Sequence, residues 1–292
     1  MRTAYLYLLF LSLFATGCTS STRQTDKERL YVSILPLRSI IEQIVGDDFK
    51  VDVLVPAGAS PESFEPTPRQ YVALNRSKLV FNVGLIDFEQ NLPDREKLVN
   101  LSRGIRLLEG SCAHGHTHEP TEKARASEGH AHGIDPHIWT SPRALKQMAA
   151  NAYDALRTSF PDSVRYTENY EKLLVRLDSL DTACAEALRQ ADVHTIVIYH
   201  PALTYYAADY GLEQLAVEHD GKEPSARHLA RLIEEARRKK VRRVFYQAQY
   251  PASTVKVIAE DIGARSVKID PLREDVIGNI GEITRQLTSG NE

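Results

Sequence analysis

After Pro161 no glycine or proline interrupts the chain until Pro201. Over 161–190 the apolar side chains Val164, Tyr170, Leu173, Leu174, Leu177, Leu180, Ala183, Ala187 and Leu188 recur at helical spacing. At about 1.5 Å per residue such a helix reaches roughly 40 Å. A rod of that length is either one more packed helix or a stiff strut joining two lobes. The segments on its two sides bear on the choice.

Both sides alternate strand and helix. In the first half, β-rich runs at Leu30–Leu35, Lys50–Val55, Lys78–Val83 and Leu98–Leu101 are separated by helical patterns. These patterns run from Pro36 to Val45, over Pro68–Ser77 and over Phe88–Lys97. Ser141-Pro142 reads as an N-cap with proline at the first helical position, opening a helix to about Phe160. In the second half, strands are expected at His194–Tyr199, Glu213–Val217, Arg243–Gln247 and Arg265–Ile269. The helices between them are Pro201–Tyr210, one after Pro224-Ser225, one ending at Asp261 before Gly263, and Asp275–Leu287. Strands that feed helices in this way predict an α/β protein. It has two lobes, each with a short parallel sheet flanked by helices, and ligand loops lie at the carboxyl ends of the strands. The expected divisions are an N-terminal lobe over 29–160, the linking helix over 161–190 and a C-terminal lobe over 191–292.

The beginning of the chain reads as an export signal. Arg2 is followed by an apolar run from Ala4 to Phe14, too short to span a bilayer, and then by Ala15-Thr16-Gly17-Cys18. Small residues directly before a cysteine resemble a bacterial lipobox, so residues 1–18 are expected to be a lipoprotein signal with Cys18 lipidated. Several acyl chains suffice for stable anchoring. Residues 19–28 are polar and aperiodic, as in a tether. The other two cysteines, Cys112 and Cys184, could pair in an exported protein or stay separate. A net charge of −3 gives no basic footprint for nucleic acid, and no phosphate-binding P-loop motif is present.

Five of the ten histidines, His114, His116, His118, His130 and His132, fall in one polar loop over 112–134. Short His-rich tracts read as metal-binding. His137 stands at the loop's exit, in Asp135-Pro136-His137-Ile138-Trp139. Other ligand-type residues also stand at predicted strand ends. Glu62 lies in the loop after the second strand, with Glu65 nearby. His200 precedes Pro201 and Asp270 precedes Pro271, each straight after an apolar strand. Proline holds the residue before it extended and fixes the turn. Two ligands from each half, Glu62 and His137 with His200 and Asp270, would meet across an interlobe cleft. Glu65, Asp135 and Trp139 are better placed as supporting residues, His194 and His228 as structural ones, and His219 as an alternate ligand.

Five motifs together carry a family resemblance: Gly58-Ala-Ser-Pro-Glu-Ser-Phe-Glu-Pro-Thr-Pro68, Asp135-Pro-His-Ile-Trp-Thr-Ser-Pro142, Tyr199-His-Pro-Ala-Leu-Thr-Tyr-Tyr206, Gly221-Lys-Glu-Pro-Ser225 and Asp270-Pro-Leu-Arg273. The chain resembles the metal-specific solute-binding proteins of ABC importers, the zinc and manganese group. The resemblance implies two α/β lobes joined by a rigid helix, with position 62, His137, His200 and Asp270 as ligands. It also implies a monomeric extracytoplasmic receptor, lipid-anchored and not an enzyme, that passes metal to a permease driven by a separate ATPase. The family commonly has histidine where this chain has Glu62. A His₂-carboxylate₂ set is harder and moves preference toward manganese or iron, whereas the His-rich loop and the Gly-Lys-Glu-Pro-Ser segment point to zinc. A zinc metallohydrolase with Glu62 as general base is the alternative from another class.

Overall fold

The computed structural model describes residues 27–110, 133–218, 224–250 and 252–289. In the first half, strands β1 (Arg29–Val32), β2 (Lys50–Val53), β3 (Val80–Asn82) and β4 (Leu98–Asn100) form a sheet in the order β2-β1-β3-β4. In the second, β5 (Thr195–Ile198), β6 (Glu213–Ala216), β7 (Arg243–Gln247) and β8 (Arg265–Ile269) repeat it as β6-β5-β7-β8. All pairings are parallel. In both sheets the path reverses between the two central strands, β1 and β3 or β5 and β7. Such switch points open a crevice at the carboxyl ends of the strands.

The helices are α1 (Leu35–Val45), α2 (Pro68–Asn75), α3 (Pro142–Ser159), α4 (Val164–Gln190), α5 (Thr204–Asp209), α6 (Ala226–Arg238), α7 (Ala252–Ile262) and α8 (Val276–Thr288). Their ends follow local chemistry. Thr67 and Gln70 form a capping box on α2, and Ser141 accepts the Ala144 N–H at the start of α3. Gly211 and Gly263 end α5 and α7 with positive φ. The run Leu30–Leu35 is only partly strand, because Leu35-Pro36 already open α1.

The helix expected over Phe88–Lys97 does not form; a single turn over Asp87–Asn91 takes its place. Pro93 ends the turn, and the buried Glu89 points inward, where its carboxylate accepts the N–H groups of Val83, Gly84, Leu85 and Ile86. Gly84 is required there. Its φ is +81°, and a Cβ would stand 2.3 Å from the Asn100 side chain.

The long helix α4 has 27 residues, about 40 Å. Its buried stripe is Tyr166, Leu173, Leu177, Cys184 and Leu188, with Tyr170 and Leu180 half-buried along it. Val164 and Ala183, expected on that face, are exposed. α4 packs on α1, α3 and α8, and α8 returns from the second sheet to touch α1. A single apolar core therefore runs from Leu30 and Ile41 through Leu177 to Ile198 and Ile283. Alternation along β5 splits its sides: Ile196 and Ile198 join that core, while Val197 and Tyr199 face a second cluster under α6 and α7. The Cys184 thiol is free and buried, 3.1 Å from Thr284 Oγ1 in the α4–α8 contact. Among the described residues no helix is long and apolar enough to cross a membrane.

Candidate metal centre

Glu62 sits on the short turn Pro61–Ser63 after β2, His137 on the turn before α3, and His200 two residues past the end of β5. Glu62 Oε1 lies 3.0 Å from His200 Nε2 and 3.9 Å from His137 Nε2, and the two Nε2 atoms are 3.3 Å apart. Among the described residues these three form the group with metal-binding spacing. The imidazoles are buried, at 9% and 10% side-chain exposure, while Glu62 is 43% exposed.

Each imidazole is held from behind. His137 Nδ1 is 2.9 Å from Asp135 Oδ1, and His200 Nδ1 is 2.7 Å from Glu218 Oε1. An ionised carboxylate can only accept, so each Nδ1 carries a proton and Nε2 is the nitrogen left to take a metal or a second proton. Asp135 Oδ1 also accepts the His137 backbone N–H, and Gln247 Nε2 donates to the His200 carbonyl across the β5/β7 switch point. The Tyr250 ring stacks on His200 with centroids 5.3 Å apart. Trp139 Nε1 donates to the Pro271 carbonyl, tying the His137 turn to the loop after β8.

Two lone pairs and a carboxylate aimed at one point repel one another unless a cation or a proton stands between them. That cause sets the titration of the site. Burial alone would lower the pKa of His200, but its bonds to Glu218 and Glu62 reverse this and raise it to about 9. Burial would raise Glu62, yet the bond to His200 and the charge on both imidazoles hold it below the ordinary carboxylate value. Asp135 is likewise held low, its burial outweighed by His137 and by the hydroxyl of Thr204.

Two hollows meet at the group. The inner, of about 30 Å³, is lined by Glu62, His137, His200, Gln247, Tyr250 and Leu272. Its size suits one ion or one water. The outer, of about 320 Å³, is lined by Glu62, Asp135, His137, Glu218, Gly110 and Gly133. Gly110 and Gly133 flank the His-rich segment and are joined by a backbone bond of 2.7 Å.

A family model described as ZnuA, zinc-uptake complex component A, periplasmic, matches residues 30–287. The chain belongs to the ZnuA family. The high-affinity zinc uptake system protein ZnuA of Bacillus subtilis is 29% identical over 279 residues, covering 90% of this chain and 85% of that protein. The zinc-binding lipoprotein AdcA of Streptococcus pneumoniae is 27% identical over 271 residues, covering 89% of this chain and 53% of AdcA. The chain thus spans about half the length of the streptococcal relatives it matches. Among solved structures, a crystal structure of ZnuA superposes with a TM-score of 0.79 at 30% identity, covering 91% of this chain and all of that one.

Of the four ligands expected for this ZnuA-family chain, three converge. Asp270 does not join the group. It is exposed, and its Oδ1 accepts the Leu272 N–H at 3.0 Å, although Pro271 and Leu272 line the inner hollow. Glu65 is exposed, His194 pairs with Asp192 at the surface, and His228 Nε2 lies 3.1 Å from the Ala216 carbonyl. Cys18, Cys112, His114, His116, His118, His130, His132 and His219 lie outside the described residues. So do the signal segment 1–18 and Gly221-Lys-Glu of the fourth motif. Sequence reasoning missed Glu218, Gln247 and Thr204 as supports. The register signalled the first: Ile198 pairs with Ala216, which puts position 218 beside position 200.

Proposed function

We propose that this chain is an extracytoplasmic receptor that captures one zinc ion at Glu62, His137 and His200 and delivers it to an ABC permease driven by a separate ATPase. The observation that carries the reading is the aim of three lone-pair donors at one point, with both imidazoles tautomerically fixed by carboxylates. The family and the names of its relatives support zinc as the cargo. Asp270 completes the set on loading, through the oxygen that the Leu272 N–H leaves unused. The His-rich loop collects metal at the mouth of the outer hollow. Cys18 carries the lipid anchor, and the receptor works as a monomer. A hydrolase would need Glu62 directed at a water as general base; here Glu62 faces the same point as both imidazoles, which favours capture over catalysis.

The test is metal content and competitive affinity of a soluble chain (residues 27–292), with and without 113–133. One tight zinc that survives loop deletion and disappears in His200→Ala is expected. Zinc lost together with the loop would mean that the folded core is not the primary site. One observation favours a second reading, a manganese or ferrous receptor: an oxygen donor stands at position 62. Tighter manganese than zinc in the same competition selects it.

A further inference from the structure

Behind His137 the support does not end at Asp135. Asp135 is buried, and its second oxygen, Oδ2, accepts the Thr204 hydroxyl at 2.6 Å. Thr204 Oγ1 in turn accepts Gln214 Nε2 at 3.0 Å, and Gln214 Oε1 accepts the Leu203 N–H at 2.9 Å. The polarity of this chain of bonds is forced at each link. A carboxylate only accepts, so the single hydroxyl proton is given to Asp135, and the amide N–H fills the hydroxyl's lone pair. Next to it the Tyr205 hydroxyl donates to the Asp135 carbonyl at 2.8 Å and accepts the Leu108 N–H at 3.1 Å.

These supports come from the other half of the molecule. Thr204 and Tyr205 open α5, four and five residues past His200, whereas Asp135 and His137 precede α3. The turn that carries one ligand thus holds the carboxylate that orients the other.

We infer that Thr204 is a positioning residue for metal capture: its hydroxyl holds the Asp135 carboxylate in place and, through it, the aim of His137 relative to His200. The inference rests on the zinc-receptor reading for its purpose but not for its geometry. Polar partners behind a ligating histidine commonly change metal affinity by about 10- to 100-fold. Thr204→Val keeps the shape and removes the hydroxyl; Thr204→Ser keeps the hydroxyl.

Two measurements test it. The first is the proton NMR resonance of His137 Nδ1–H in the metal-free chain, whose shift and solvent exchange report the geometry of its bond to Asp135. Wild type and Thr204→Ser should share one downfield, slowly exchanging Nδ1–H resonance, and in Thr204→Val it should shift and exchange faster as Asp135 loses its anchor. The second is zinc affinity by chelator competition, expected to weaken about 10-fold or more in the valine variant and to be restored in the serine one. An unchanged Nδ1–H resonance and exchange rate in Thr204→Val overturns the inference, whatever the affinity does. So does a loss of affinity that Thr204→Ser fails to restore, since that would report packing alone. Failure of wild type to bind zinc would sink the receptor reading, while the Nδ1–H resonance would still decide this one.

Discussion

At the scale of single residues, the site is a contest between a proton and a metal. His200 has its pKa raised from 6.5 to about 9, so at neutral pH the metal-free site holds a proton that an incoming ion must displace. Zinc binding near pH 7.5 should release about one proton, read by calorimetry in buffers of different ionisation enthalpy. Uptake independent of the buffer would contradict it. The same shift affects stability. A pKa raised on folding stabilises fully below the unfolded value, and that contribution is lost as pH rises through the folded one. The metal-free protein should therefore lose stability between about pH 6.5 and 9. Glu62 and Asp135, both lowered, act in the opposite direction. Their contribution is present above the ordinary carboxylate range and fades as acid protonates them. Urea midpoints measured across pH would trace both flanks. Position 62 also allows a selectivity test. Glu62→His replaces an oxygen by an imidazole and should favour zinc over manganese more strongly than wild type does, measured by competition.

At the scale of elements, caps and strand ends explain what could be read in advance. Ser141-Pro142 announced the start of α3, and the structure puts Ser141 Oγ on the Ala144 N–H at 2.9 Å. Ser141→Ala should cost about 1 kcal/mol or somewhat more, seen in urea unfolding, since the hydroxyl also meets Asp209. His137 and His200 were legible because each stands in a proline-framed turn, and Pro201 directly follows His200 at the end of the β5 run. Glu89 was not, because a glutamate beside Asp87, Gln90 and Asn91 looks like part of the solvent face of a helix. Only tertiary context shows it capping four amides. Thr204 was invisible for a similar reason: its partner Asp135 is 69 residues away. The basic run Arg237–Lys240 closes α6. Arg237 also donates from Nε to the Asp261 carbonyl at the end of α7, a favourable place for a cation.

At the scale of the whole molecule, the strut and the lobes share one core. Leu177 lies fully buried at the middle of α4, in the same cluster as Leu30 of the first sheet and Ile198 of the second. Leu177→Ala should destabilise by about 2–5 kcal/mol. Both halves should still unfold in one transition. Fluorescence of Trp139 and far-ultraviolet circular dichroism should give coincident midpoints; separated midpoints would mean that the lobes melt independently. Periodicity announced the strut correctly but blurred its inner face, because Val164 and Ala183 are apolar and yet exposed, while Tyr166 and Cys184 are buried.

The two sheets share one strand order, so the fold provides two equivalent berths at its switch points. In the first half the berth is already taken: the Glu89 carboxylate sits on the amides after β3, a tenant built into the chain. In the second half His200, just past β5, turns its Nε2 toward Glu62 instead, at 3.0 Å. Two similar halves make an unequal pair: one crevice is filled from within the chain, and at the other the described residues gather Glu62, His137 and His200.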